Sequence, residues 1–427
     1  MTNQFEALAK EVAQEAQVLC DFLNERGYYQ PAFNQGGFTE FDELPEEIEV
    51  SRKKLQAAAK AVHDLVAGPE AFVKSLSHNY HDTSTLRWLL NFKIPEAVPL
   101  RGSIAYAKIA TRCDVNESHL RRVLRYAMTN RLFREVDTDE IAHTAYSAVL
   151  VTDEHLRATV QYTTDEVFPT SAKLVEAHEK WMVRSEKNKT AFQVAWNTDL
   201  PQREYLEQKG LEDRLKAYTK AQEVIDTSLP YDMDHTITTY EWSKVRRLVC
   251  IGGASSPTAT ILARHFPNLR IMVEDLPDIA QKAQEQLPGE LERKLYFTAH
   301  DYTSPNPQPD EVSGADVYLL RDVLSHHSDE YATKTLEGLV ELLQDGAKLL
   351  ILDTVVPVAG SLAVEEEKEL GARDLDSMMT ENGKLRTLDD WEKLLHQADA
   401  DLVISSVTQP EGSAWSALEV VLEVRDE

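Results

Sequence analysis

From about residue 243 onward, short apolar runs alternate with helical stretches, and this alternation constrains the fold more than any other feature of the chain. Arg247 to Ile251, Arg270 to Val273, Lys294 to Phe297, Val317 to Leu320 and Leu349 to Leu352 read as five strands with helical crossovers between them. Leu402 to Val407 and Trp415 to Val424 are two more, close together and joined by a turn containing Pro410 and Gly412. Strands linked by helices lie parallel and must be covered on both faces. The expected fold class is therefore α/β, a seven-stranded doubly wound, Rossmann-like sheet closed by a hairpin-like antiparallel strand.

The first half reads differently. Leu8, Val12, Ala16, Leu19 and Leu23 recur at a helical period, and Ile48 to Leu65 resumes it after a loop from Tyr29 to Glu40. Residues 1–75 are expected to form a helical arm, suited to dimerisation or to packing over its own domain. Residues 84–150 read as a winged helix-turn-helix. A short helix carries Ile109 and Ala110, Asp114 to Ser118 make the turn, and His119 to Thr129 form the second helix with Leu120, Val123, Leu124 and Ala127 inward. Leu132, Phe133, Val136, Ile141 and Ala142 suggest the wing. Aromatics including Phe168, Phe192 and Trp196 stud the helical stretch 153–225; such residues are core or the lining of a substrate cleft. Three domains are expected: 1–75, the arm; 76–225, winged helix and substrate lid; and 226–427, the sheet.

Composition excludes several classes. A net charge of −27 opposes phosphate binding, although the second helix of the winged element holds Arg121, Arg122 and Arg125. Asp137, Asp139 and Glu140 in the wing add to that opposition, so no nucleic-acid partner is expected. No stretch approaches the roughly 18 apolar residues of a membrane span. The first residues lack a basic segment followed by an apolar one, so they do not read as a secretory signal. Cys20, Cys113 and Cys250 lie far apart with no metal-ligand spacing, which fits a reducing, cytoplasmic setting without structural zinc.

Two motifs carry the chemistry of the second half. Residues 248–267 run from a strand through Gly252 and Gly253 into a helix, and glycines at such a turn let the backbone approach a ligand closely. Ser255 or Ser256 is the expected helix cap. About twenty residues on, the spacing at which such folds place a ribose-binding acid, stand Glu274 and Asp275. Spacing alone does not choose between them.

The run 248–277, with FPNLRIMVEDLP at its end, resembles the corresponding block of plant and fungal small-molecule O-methyltransferases. The seven-strand count also fits a class I methyltransferase better than a dinucleotide dehydrogenase. The resemblance implies S-adenosyl-L-methionine (SAM) as cofactor, held by Gly252, Gly253, Asp275, Leu276, Asp301, Tyr302 and Arg321. Asp275 takes the ribose, Asp301 lies by the adenine amino group, and Arg321 stacks near the cofactor. It also implies a small-molecule substrate and a homodimer made by the winged-helix half.

The stretch Leu320–Glu330 departs from that family. The family's proton-accepting His falls on Ser325, and a serine hydroxyl accepts no proton near neutral pH. His326 and His327 follow, re-aimed by one and two positions. Leu385 stands where the family has a Glu that orients the base, while the other family acid remains as Asp353. Asp322 beside Arg321 replaces a residue usually neutral, and a buried carboxylate there costs desolvation unless it is used. These departures resemble the SAM-dependent pericyclases of fungal natural-product pathways. That resemblance implies SAM retained as a bound cation that stabilises charge developing on the substrate. It also implies a hetero-Diels–Alder, Alder-ene or related step, with dehydration, on a pyridone alcohol or quinone methide. Catalytic candidates are Arg321, Asp322, His326 and His327; Phe168, Phe192, Trp196, Met378 and Met379 are candidate substrate walls. The alternative is an ordinary O-methyltransferase acting on a phenol or hydroxy-pyridone, with His326 or His327 as base.

Overall fold

All seven expected strands form, and they join one sheet. In a computed structural model, which describes residues 3–34, 36–37, 41, 44–182, 185–227, 233–254, 257–304, 308–343 and 346–423, the strands are Arg247–Ile251 (β1), Arg270–Asp275 (β2), Leu295–Ala299 (β3), Val317–Arg321 (β4), Lys348–Asp353 (β5), Leu402–Thr408 (β6) and Ser416–Leu422 (β7). Their order across the sheet is β6-β7-β5-β4-β1-β2-β3. Strands β1 to β5 pair in parallel, and β7 inserts antiparallel between β5 and β6. The order reverses between β1 and β4, and ligands of such sheets bind at the carboxyl ends of the strands at this reversal. Gly252 follows β1 and Asp322 follows β4, so both chemical motifs emerge there.

Burial explains why these segments are strands. Every residue of β4 is buried, and so are all but the first of β1 and of β5. Two apolar clusters flank the sheet. One gathers Val249, Ile251, Leu320 and Leu349 with Trp391 and Leu394 of the helix Leu388–Ala398; the other gathers Leu248, Val273, Leu319 and Leu350 with Leu262.

The chain divides into two compact units. One holds Met1–Pro169, Asp213–Ala221 and Leu362–Lys368, and the other holds Thr170–Glu212, Gln222–Ser361 and Glu369–Glu427. The division differs from the sequence-based one, because the segment after residue 170 belongs with the sheet. Side-chain bonds show why. Asn382 Nδ2 donates to the Glu186 carbonyl at 2.7 Å, and Ser328 Oγ donates to the Ser185 carbonyl at 3.2 Å.

In the first unit, Gln4–Arg26 and Glu46–Leu76 are helices, the second broken at Gly68, whose φ of 75° precedes Pro69. The winged element comprises the helices Tyr106–Cys113 and Glu117–Thr129 with the strands Ile104–Ala105, Arg134–Asp137 and Glu140–Ala142. Asn116 caps the second helix through His119 N. Arg121 is bound by Glu117 at 2.7 Å and Asp139 at 2.5 Å, and it covers the Tyr106 ring. Its charge is thus neutralised within the element. Among the described residues, no helix is long and apolar enough to cross a membrane, and no cluster of metal-ligating side chains occurs.

Candidate active site

The site lies within the second unit. Gly252 leaves β1 with φ 74° and Gly253 follows with φ 76°, conformations that L side chains rarely adopt. A Cβ at Gly252 would stand 3.1 Å from Val323 Cγ2 and 3.3 Å from the Tyr302 hydroxyl. Gly252→Ala should therefore lower stability by about 1–2 kcal/mol from backbone strain alone, read as a lower thermal midpoint. The caps read at Ser255 and Ser256 lie outside the described residues.

Geometry separates the two acids that spacing left open. Asp275 closes β2 and is buried; its Oδ2 accepts from Ala254 N of the glycine turn and its Oδ1 from Leu276 N, both at 2.8 Å. A carboxylate has about four acceptor positions, so each oxygen retains capacity for a ribose hydroxyl. Burial raises the Asp275 pKa, and the two backbone donors oppose that rise. Glu274 is fully buried and is engaged elsewhere: His300 Nδ1 lies 2.5 Å from its Oε1, and its main-chain oxygen accepts from Gly252 N at 2.7 Å. Asp301 is exposed and accepts from Thr303 N and Oγ1. Tyr302, whose phenol burial keeps protonated, packs edge-on to His327 with ring centroids 6.3 Å apart. A glycine cradle that a methyl group would fill, beside a buried acid with spare acceptor capacity, fits an adenosine ribose.

At the end of β4, Arg321 is buried with its guanidinium 5.0 Å from the Trp415 ring centroid. Asp322 adopts φ 52°, which redirects the chain into the turn Leu324–His326. Its Oδ1 accepts from Ser325 Oγ at 3.1 Å and lies 3.5 Å from His326 Nε2. The opposite ring nitrogen, His326 Nδ1, lies 2.5 Å from Glu381 Oε1. His326 thus sits between two carboxylates. Desolvation lowers its pKa, but Glu381 and Asp322 win and raise it well above the usual imidazole value. Desolvation likewise opposes ionisation of Glu381, and the His326 charge overcomes it, holding Glu381 at about 2. Asp353 is pushed up to about 7 by burial and by Asp322. It accepts from Ser325 N at 3.2 Å and Thr354 N at 2.7 Å.

His327 is a different group. It is buried, and desolvation together with the Lys187 charge drives its pKa well below the usual value. By contrast, the His326 side chain is 40% exposed, which leaves it reachable. Between the two histidines, only His326 has an acid that orients it.

Glu381 was not among the sequence candidates. It ends the helix Val364–Glu381, four residues before Leu385, and its carboxylate meets His326 Nδ1. His326 stands one position after Ser325, and Glu381 stands four positions before Leu385. The available signal was the glutamate beside Asn382-Gly383, placed where a helix ends.

Among the candidate walls, Phe192 is fully buried, in ring contact with Trp196 at 6.3 Å and Tyr205 at 5.6 Å. Trp196 is half-buried, Met379 buried and Met378 exposed. Phe168 belongs to the first unit.

Residues 179–399 match the O-methyltransferase domain family, and residues 74–155 match the O-methyltransferase dimerisation domain. The O-methyltransferase pgmB of Aspergillus terreus is 32% identical, over 99% of this chain and 97% of its own length. The O-methyltransferase bik3 of Gibberella fujikuroi is 32% identical, over 98% of this chain and 93% of its own. Solved structures share the fold. OxaC in complex with sinefungin and meleagrin matches with a TM-score of 0.74 at 21% identity, over 99% of this chain and all of that one. LepI in complex with SAM matches with a TM-score of 0.67 at 20% identity, over 97% of this chain and all of that one. Through its family match, its relatives and its class I methyltransferase fold, the chain belongs to the SAM-dependent O-methyltransferase family.

Proposed function

We propose that the protein methylates an acidic hydroxyl of a phenolic or hydroxy-pyridone small molecule, with His326 as general base and Glu381 as its orienting acid. The observation that carries this reading is the 2.5 Å contact between His326 Nδ1 and Glu381, which leaves Nε2 as the ring's other proton-accepting position. SAM, when bound, supplies an electrophilic methyl group on its sulfonium.

The residues divide the remaining work. Gly252 and Gly253 admit the cofactor close to the backbone, Asp275 receives the ribose hydroxyls, and Leu276, Asp301 and Tyr302 flank the adenosine. Glu381 fixes the imidazole and stabilises the imidazolium that forms when Nε2 takes the hydroxyl proton. Asp322, 3.5 Å from Nε2, then accepts the Nε2–H as a hydrogen bond. Because its pKa is raised, His326 is charged at neutral pH and must lose its proton to act. The rate should therefore rise with pH through a midpoint above the ordinary imidazole range, and His326→Gln should abolish that limb.

A second reading is favoured by the same elevated pKa. An imidazolium beside Asp322 and Arg321 suits proton donation to a leaving hydroxyl, as a dehydratase or pericyclase with retained SAM requires. In that case the rate falls as pH rises through the same midpoint. Turnover with phenols and pyridone alcohols, followed by mass spectrometry, separates the two. Product heavier by one methylene, with S-adenosylhomocysteine formed in step, supports methyl transfer. Product of unchanged or water-depleted mass without S-adenosylhomocysteine overturns it in favour of the second. For either reading we also propose a homodimer through the dimerisation domain; a monomer in solution would contradict this.

A further inference from the structure

The turn that carries His326 is gripped by a neighbouring segment that no part of the chemistry above uses. Arg386 is completely buried. Its Nη1 donates to the Leu324 carbonyl at 2.7 Å, and its Nη2 donates to the His327 carbonyl at 2.9 Å. These carbonyls bracket Ser325 and His326. Between them, the Ser325 carbonyl accepts from Lys384 N at 2.8 Å. The guanidinium is itself held by Asp329, with Nε and Nη2 3.0 and 2.9 Å from Oδ1, and it lies 5.2 Å from the Trp391 ring centroid.

The same segment leaves no slack. A Cβ at Gly383 would fall 1.9 Å from Ser377 Oγ and 2.5 Å from the Ser325 carbonyl oxygen. Gly383 N donates to the Ser377 carbonyl, and Ser377 lies one helical turn before Glu381. The residues that fix the backbone of the His326 turn therefore also abut the helix that presents Glu381. Both partners of the pair are referred to one rigid piece of chain.

We propose that Arg386, with Lys384 N and Gly383, is the positioning device that aims the His326 ring between Glu381 and Asp322. The argument is geometric. Within a three-residue turn, a small backbone rotation swings a side chain through a large angle, enough to break ring contacts of 2.5 and 3.5 Å. Capturing the carbonyls on both sides of the Ser325–His326 pair removes that rotation. A planar guanidinium reaches two carbonyls and a carboxylate at once, whereas an ammonium is a point donor. Arg386 touches no reacting atom; it acts through His326.

This inference rests on the assignment of His326 as the working group but is tested without turnover. The full chain, with histidine rings labelled and the His326 resonance identified by its loss in His326→Gln, is titrated by NMR. Arg386→Lys should bring the His326 midpoint down toward the ordinary imidazole value, a tenfold or greater loss of proton affinity. The SAM dissociation constant should stay within twofold. Guanidinium added to Arg386→Ala should restore the midpoint, which a general loss of packing would not allow. Asp329→Asn, which keeps both carbonyl bonds, should shift it less and serves if the arginine variants do not fold. An unchanged midpoint in folded Arg386→Lys, or in Asp329→Asn where the arginine variants do not fold, would overturn the proposal. A midpoint that shifts in a protein without methyl transfer would uphold the aiming role while removing the reading of the reaction.

Discussion

Replacing His326 with Gln is expected to lower kcat by about 10²–10⁴-fold, the usual contribution of a positioned general base, while SAM affinity stays within twofold. The split follows from geometry. The His326 ring meets Asp322 and Glu381, on the turn after β4 and the helix Val364–Glu381. The proposed cofactor cradle is built instead by the ends of β1 and β2, through Gly252 and Asp275. His327→Gln should change kcat much less, because burial and Lys187 hold that ring neutral with no acid to orient it. Steady-state kinetics on both variants, with SAM binding measured by calorimetry, checks the pair of expectations. Equal losses in the two variants would mean that the base has been misplaced by one residue.

The second large effect concerns the cofactor. Asp275→Ala should weaken SAM binding by about 1.5–3 kcal/mol for each charge-assisted hydrogen bond lost, which is roughly ten- to more than a hundredfold per bond. The sign of the pH dependence follows from burial. The carboxylate must be ionised to accept from two hydroxyls, and its pKa in the protein is raised above 3.8. Affinity should therefore fall in acid at a higher pH than an exposed aspartate would give, and Asp275→Asn should remove that dependence. Affinity unchanged in Asp275→Ala would assign the ribose elsewhere. Glu274 is a poor substitute, since it is fully buried and paired with His300.

The large sheet was legible because its signal is local. Five apolar runs at crossover spacing announce a parallel sheet, and each strand appeared within a few residues of its expected bounds. The glycine turn and its acid were equally visible, because fold geometry ties one to the end of β1 and the other to the end of β2. The His326–Glu381 pair was not. A residue-by-residue reading puts Ser325 and Leu385 where the family has a base and an acid, and nothing in sequence spacing reveals that His326 meets a carboxylate 55 positions away. Asp322 adopts φ 52° just before that turn and Arg386 donates to the Leu324 carbonyl within it, both features of tertiary packing that spacing does not announce. The boundary between the units was hidden for a related reason. Helices near residue 190 look alike whichever core they join, and only bonds such as Asn382 to Glu186 decide it.

Asp322 repays a comparison with its neighbours. Desolvation opposes its ionisation, but His326 and Arg321 hold its pKa below the ordinary value, so it stays charged. The same charge pushes Asp353 toward neutrality. Carboxylates with divergent affinities for protons, arranged around one histidine, recur at active sites and also in structural ion-pair networks.

The central claim is that His326 and Glu381 work as one unit, and a double-mutant cycle on kcat tests it most directly. His326→Gln, Glu381→Gln and the double variant are compared with the parent, using an acceptor found by the mass assay. Groups that act together are strongly non-additive. Adding Glu381→Gln to His326→Gln is predicted to cost little more than His326→Gln alone. Losses that simply multiply would contradict the account, because Glu381 would then serve the enzyme by some route that does not pass through His326.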